Sequence, residues 1–163
     1  MTNVLLNPGF EDGTGSWTYL YDGSSTFTAD TVSPYSGLKC AKLAVSTKGT
    51  YNQFMQINFP FVASTPYRLS FAAYSVAGTN VDVAIIKHAS PYTNYGFNVT
   101  NLNLSNAWQL FTYDFTTTVS ATSDARLFFQ LQTYISNGSV YYIDQVNLQK
   151  VSEIQPKMFA LFE

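Results

Sequence analysis

Arg126, Phe128, Gln130 and Gln132 stand at alternate positions of the segment Arg126-Leu127-Phe128-Phe129-Gln130-Leu131-Gln132. In an extended strand, alternate side chains share one face. The complementary set, Leu127, Phe129 and Leu131, is apolar and is expected to point into a core. The first set therefore puts a guanidinium, an aromatic ring and two carboxamides on the outer face. These groups do not break bonds. They stack on a flat apolar surface and aim donors and acceptors at a rim of hydroxyls, which is the chemistry that recognises a sugar ring. Asn58 adds a further amide. Tyr19, Tyr21, Tyr74, Tyr92, Tyr95 and Tyr134 are available as stacking walls, although tyrosines that fill a core with the hydroxyl reaching solvent give the same pattern. Two more strands read by the same rule: Tyr67, Leu69 and Phe71 inward with Arg68, Ser70, Ala72 and Tyr74 outward, and Phe54, Gln56 and Asn58 outward.

Catalytic constellations are poorly supplied. His88 is the sole histidine and Cys40 the sole cysteine. A nucleophilic serine elbow, Gly-x-Ser-x-Gly, is absent, and a transition-metal site normally needs several His or Cys ligands. The carboxylates available for glycoside hydrolysis are Asp82, Asp114 and Asp124, and nothing in their spacing puts two of them on one concave face. There is no phosphate-cradling glycine loop. Cys40 can form no intramolecular disulfide and reads as a small buried hydrophobe.

Composition bounds the remaining possibilities. The chain has 163 residues, 17% aromatic and only 11% charged, with a net charge of −2. A nucleic-acid binder carries a basic face, and a membrane-surface protein a polybasic one; neither is present. No run of about 20 apolar residues spans a bilayer, and Met1-Thr2-Asn3 does not open a signal peptide. Two placements stay open, an intracellular chain or an extracellular module cut from a longer secreted protein, and the abundance of Tyr, Thr, Ser and Asn with few charges favours the second.

The elements that must position these groups are strands. Short alternating segments are expected at Val4–Leu6, Trp17–Tyr21, Thr26–Ala29, Cys40–Val45, Gln53–Phe59, Tyr67–Val76, Val81–Ile86, Gly96–Val99, Gln109–Thr116, Leu127–Gln132 and Val140–Leu148. Turn sequences such as Asp22-Gly23-Ser24-Ser25, Thr47-Lys48-Gly49 and Ser136-Asn137-Gly138 separate them, because Gly and Asn accept positive φ. No window shows a helical period. The expected fold is all-β, a two-sheet antiparallel β-sandwich of jelly-roll type. Residues 1–150 form the domain and residues 151–163 a linker or tail. In such a fold the first and last strands can be neighbours, so Glu11 and Asp144 can meet across the sequence. Two carboxylates there would suit a Ca²⁺ ion, or they cap turns and pair with Lys39 and Lys42.

Six short stretches occur in order: Asn7-Pro8-Gly9-Phe10-Glu11, Gly15-Ser16-Trp17, Ser36-Gly37, Tyr67–Ala73, Trp108–Phe115 and Val140–Val146. Together they resemble the carbohydrate-binding modules grouped as families 4, 9, 16 and 22, over residues 3–149. The resemblance implies a jelly roll with a concave groove for β-linked glucan, xylan or mannan. It matches Gln130 and Asn58 to groove amides and puts Arg126 where a relative has Gln. It assigns the aromatic wall to Tyr19 or Tyr21. It also implies a structural Ca²⁺ held by backbone oxygens at Gly9 and Lys39 and by the side chains of Glu11, Asp144 and Ser36. A disulfide of some relatives is missing, since Tyr142 stands opposite Cys40. The expected role is a non-catalytic, monomeric module that holds an attached polysaccharide-degrading enzyme on its glycan. The alternative is a structural or adhesive β-sandwich of a surface or phage tail protein.

Overall fold

A computed structural model describes residues 2–154. Eight strands run in chain order: β1 (Thr18–Asp30), β2 (Cys40–Phe59), β3 (Pro66–Ser75), β4 (Val81–Lys87), β5 (Asn94–Leu102), β6 (Gln109–Thr116), β7 (Ala125–Gln130) and β8 (Val140–Lys150). One turn of 3-10 helix follows at Val151–Glu153, at the start of the expected tail; residues 155–163 of that tail lie outside the described residues.

Every pairing is antiparallel, and the ladder runs β5-β4-β7-β2-β8-β3-β6, with β1 on β2. Two layers arise because β2 bends. Its first part pairs with β8 through Ala41–Ala44, and its second part pairs with β7 through Gln53–Phe59. β1 bends alongside it, with register shifts between Tyr21 and Gly23 and between Ser24 and Ser25. The first layer is thus β5-β4-β7 with one half of the β1–β2 hairpin, and the second is β6-β3-β8 with the other half. On the opposite side the layers meet again where Phe97 of β5 packs on Tyr113 and Phe115 of β6, 5.3 Å between centroids in each case.

The strand segments expected at Trp17–Tyr21 and Thr26–Ala29 are therefore one strand, as are Cys40–Val45 and Gln53–Phe59. The turn residues between them face each other: Gly23 pairs with Lys48 and Ser24 with Thr47. They mark a corner within the ladder and not the end of it. Gly23 has φ +90°, and a Cβ there would lie 2.5 Å from the Thr47 carbonyl oxygen. Asp22 locks the corner, its carboxylate accepting from the Thr50 and Tyr51 amides and the Thr50 hydroxyl at 2.6–2.9 Å. The expected strand at Val4–Leu6 is not one. It is held by a single bond from the Val4 amide to the Leu148 carbonyl, and by the Gln56 carboxamide, which takes both the N–H and the C=O of Leu6.

Between the layers lies an aromatic core. Phe54 of β2 is fully buried and touches Phe10, Trp17, Phe27 and Phe129. Phe129 in turn meets Phe71 of the second layer edge-on at 5.2 Å. Cys40 is buried as expected, and burial pushes its thiol up to about 12.

The corner gives a test. Gly23→Ala combines an unfavourable φ with a backbone collision and should cost about 1–3 kcal/mol in urea denaturation. Gly13→Ala has a similar φ of +86° but open space around its Cβ, so it should cost clearly less. Equal losses would mean that the collision at the corner is relieved at no cost.

Candidate functional site

Cross-strand partners share a face, so the register places the outer side chains of the first layer in rows across the strands. One row runs Leu20, Gln53, Gln130, Asp82. The next runs Thr18, Met55, Phe128, Ala84, Asn98. The third runs Ile57, Arg126, Ile86, Asn94. With strands about 4.8 Å apart, five strands make a face about 19 Å wide. The Phe128 ring lies at its middle, with amides on either side. This face is open. The cavity of about 300 Å³ in the structure lies beside it, between Thr2–Leu6 and Gln56–Pro60.

The alternation expected for β7 is observed as far as Gln130, where the strand ends: Leu127 and Phe129 are buried, while Arg126, Phe128 and Gln130 are partly exposed; Leu131 is buried beyond the strand and Gln132 falls in the following turn. Gln130 has no side-chain hydrogen-bond partner among the described residues, and its Oε1 is unsatisfied. Gln53 opposite it is likewise unpartnered. Gln132 donates from Nε2 to the Gly49 carbonyl at 2.8 Å, leaving its Oε1 unsatisfied. Tyr134 joins this end, its hydroxyl donating to Asp82 Oδ1 at 2.6 Å, and that contact raises the Tyr134 pKa. At the other end, Arg126 Nε donates to His88 Nδ1 at 2.9 Å, and the guanidinium lies over the Tyr92 ring, 5.6 Å from its centroid. Burial, then the Arg126 charge, lowers the His88 pKa.

Other expected site residues lie elsewhere. Tyr19 pairs with Phe54, so its ring points toward the core, and Tyr21 follows it, the two rings 4.9 Å apart. The groove-facing residues of β1 are Thr18 and Leu20. Tyr95 is only 1% exposed and donates its hydroxyl to Asp124. Tyr74 belongs to the second layer, stacked on Tyr142 at 4.5 Å and edge-on to Trp108. Asn58 sits at a bulge, with φ +59° and a register shift that removes it from the rows.

In β2 the outward set is Gln53, Met55 and Ile57, the opposite phase from the one expected. Phe54 fills the core, and Gln56 is 4% exposed because its amide serves the Leu6 backbone in place of a strand neighbour. Ala72 of β3, expected outward, is also buried, following a register shift between Ser70 and Ala72. The sequence reading missed Gln53 and Asn98 on the face. It also missed Tyr51, 41% exposed, which alternation from Gln53 puts at the Gln132 end. The signal available for all three was the phase of β2 and β5.

The structure does not bring Asp82, Asp114 and Asp124 together. Asp114 is on the second layer, bridged to Arg68 at 2.6 and 2.7 Å. Asp82 and Asp124 lie near opposite ends of β7, about 20 Å apart at the rise of a strand. That exceeds the separation of about 5–10 Å that paired glycosidase carboxylates require. Among the described residues no group of three or more His, Cys, Asp or Glu side chains converges on a metal-sized site.

The Glu11–Asp144 corner is separate from the face. Asp144 is fully buried, accepting from the Ser36 and Gln145 amides at 3.0 and 2.7 Å. Glu11 Oε1 accepts from the Leu38 and Lys39 amides at 2.9 and 3.2 Å, and Lys39 Nζ donates to the Glu11 carbonyl at 3.0 Å. A Cβ on Gly37 would collide with the Glu11 carboxylate, and one on Gly9 would come within 3.9 Å of Asp144 Oδ1. Gly9, Glu11, Asp144 and the Ser36–Lys39 loop thus converge. Burial raises the Asp144 pKa, with Glu11 contributing a smaller push in the same direction. The two carboxylates are oxygen donors of the kind a hard cation takes, and the Lys39 ammonium stands beside Glu11.

Comparison with known proteins agrees with this geometry. A family model described as a carbohydrate binding domain, covering modules 4 and 9, matches residues 2–138. A structure titled as a CBM4 module superposes with TM-score 0.75 at 20% identity, covering 90% of this chain and 99% of its own. A family 16 carbohydrate-binding module superposes at 0.67 with 24% identity, covering 91% and 100%. The CBM22-1 xylan-binding domain of Xyn10C from Paenibacillus barcinonensis superposes at 0.63 with 14% identity, covering 88% and 91%. A comparison with curated protein sequences gave no match. The chain belongs to the carbohydrate binding domain family.

Proposed function

We propose that the chain is a non-catalytic module that lays a β-linked polysaccharide across the Gln53–Gln130–Asp82 and Met55–Phe128–Asn98 rows, and so keeps an attached glycan-degrading enzyme on its substrate outside the cell. The observation that carries this is the unspent hydrogen-bonding capacity around Phe128. The Oε1 atoms of Gln130 and Gln132 are buried without a partner beside it, and Gln53 and Asn98 stand at partly exposed and exposed positions of the same rows, in a fold whose relatives bind carbohydrate. Phe128 offers a ring for a sugar's C–H face, and the amides offer donors and acceptors for its hydroxyls. Tyr51, Tyr92 and Tyr134 flank the face. Tethering raises the local concentration of substrate without any new catalytic contact.

Calorimetry with cello-, xylo- and manno-oligosaccharides tests the reading. Gln130→Ala should weaken binding about fivefold to tenfold, since a net hydrogen bond contributes about 1 kcal/mol. Its melting temperature should stay within about 2 °C, as an unpartnered amide adds little to stability. Unchanged affinity would remove Gln130 from the binding face.

The second part of the proposal is a structural Ca²⁺. Glu11 and Asp144 would hold it through their carboxylates, Gly9 and Lys39 through backbone oxygens and Ser36 through its hydroxyl. When bound, the ion would supply countercharge to the buried Asp144 and tie the N-terminal segment to β8 and the Ser36–Lys39 loop. Ca²⁺ at a hundred times its Kd should stabilise the fold by about 2.7 kcal/mol, or roughly 5–10 °C for this length. EDTA should reverse that shift, and Asp144→Ala should abolish the response. An unaltered melting temperature after exhaustive chelation would exclude the ion.

A further inference from the structure

We infer that the glycan bound on this face carries carboxylates, and that Arg126 receives one of them: the ligand is an acidic polysaccharide, built from or decorated with uronic acids. This rests on the binding face proposed above and specifies its ligand.

A guanidinium has five N–H donors. Arg126 spends one, from Nε to His88 Nδ1, and its two Nη groups have no acceptor among the described residues. The neighbours hold it in a fixed attitude. His88 takes the Nε side, its Nδ1 accepting from Arg126, and burial followed by the Arg126 charge lowers the imidazole pKa. Tyr92, 54% exposed, lies against the guanidinium face. Ile57 and Ile86 stand beside it across the strands. What remains free is the pair of Nη groups.

The charge is also unmatched. The ion pairs among the described residues are Arg68–Asp114 and Lys150–Glu153. Arg68, on the second layer and well exposed, has a bidentate carboxylate. Arg126, half-buried between two isoleucines, has none. The carboxylate closest in sequence, Asp124, makes no ion pair with Arg126; its Oδ1 accepts from the Tyr95 and Thr122 hydroxyls. Burial without countercharge disfavours a cation, and it lowers the Arg126 pKa. A neutral sugar would supply acceptors but no charge. A carboxylate supplies both, in the planar two-oxygen geometry that a guanidinium fork matches. The apolar flanks reduce screening and strengthen the pairing. Asp82 lies at the opposite edge, about 13 Å along the strand direction, with Tyr134 and Asn101 N–H donating to it. The face thus has a positive and a negative end, which orients an acidic chain with a carboxylate at Arg126.

The test is calorimetry on the full chain with hexamannuronate, hexagalacturonate and glucuronic-acid-substituted xylo-oligosaccharide, each beside its carboxyl-reduced counterpart. A neutral cello-, xylo- and manno-oligosaccharide panel and a sulfated galactan oligosaccharide complete it. At least one acidic ligand should bind about tenfold or more tightly than its reduced form, and the advantage should shrink between about 50 mM and 500 mM salt. Arg126→Gln should bring the acid-to-reduced ratio toward one; Arg126→Lys, which keeps the charge without the fork, should retain part of it. Equal affinity within every acid and reduced pair, with neutral binding intact, overturns the inference and leaves the binding face standing. Binding of none of the sugars overturns both. Preference for the sulfated ligand overturns the uronate assignment. The wild-type pairs decide the matter even if Arg126→Gln does not fold.

Discussion

The bent β1–β2 hairpin is the constraint on which the rest of the molecule depends. A flat hairpin would make one sheet with two solvated faces and no core. Bending at Gly23 and Lys48 folds the ladder over itself, so that Phe54 meets Phe129 and, through it, Phe71 of the opposite layer. The same strand carries both functional regions. Its second half supplies Gln53, Met55 and Ile57 to the binding face. Its first half pairs with β8 at Ala41–Ile143, next to the buried Asp144. The corner therefore sets the spacing between layers and, with it, the level at which the face and the acidic corner sit.

Strand positions and the β7 face were legible because apolar and polar residues alternate there without ambiguity: Leu127, Phe129 and Leu131 against Arg126, Gln130 and Gln132. β2 was not, because both of its phases mix an amide with large apolar groups. Gln56 looks like an outward residue until a backbone without a ladder partner is placed beside it. That partner, the Leu6 segment, lies fifty residues away, and periodicity within one strand carries no trace of it. Turn residues misled in a related way. Gly23 and Gly49 announce a change of direction, and a corner inside a continuous ladder needs the same residues as a loop between two strands.

Tyrosine marks a second limit of legibility. A Tyr side chain is apolar along its body and polar at its tip, so core and groove can both use it. Tyr95 and Tyr134 each donate a hydroxyl to an aspartate, yet one is buried between the layers and the other stands at the edge of the face. Their difference is parity within the tertiary sheet. Asn94 and Asn98 take the outward positions of β5 and leave Tyr95 inward. Tyr74 satisfies the outward parity and still misses the face, because β3 lies in the other layer. Strand order, which composition and spacing do not encode locally, decides that placement.

Polar groups on this molecule divide by whether the fold has already used them. Several acids are engaged: Asp22 by the corner amides, Asp82 by Tyr134 and Asn101, Asp114 by Arg68, Asp124 by Tyr95 and Thr122, and Asp144 by Ser36 and Gln145. Gln53, Gln130, Asn98 and most of Arg126 are not, and they share one face around one aromatic ring. A buried or half-buried polar group without a partner costs free energy. Buried polar atoms without a partner occur inside the hairpin, at Tyr19, Ser25 and Asn52, and on this face, at Gln130 and Gln132, and only those on the face lie where an external partner can offset the cost. The free groups include acceptors, the Gln130 and Gln132 Oε1 atoms, and donors, the Arg126 Nη groups. The partner best matched to them offers hydroxyls that both donate and accept, presents a flat C–H surface to Phe128 and carries negative charge toward Arg126.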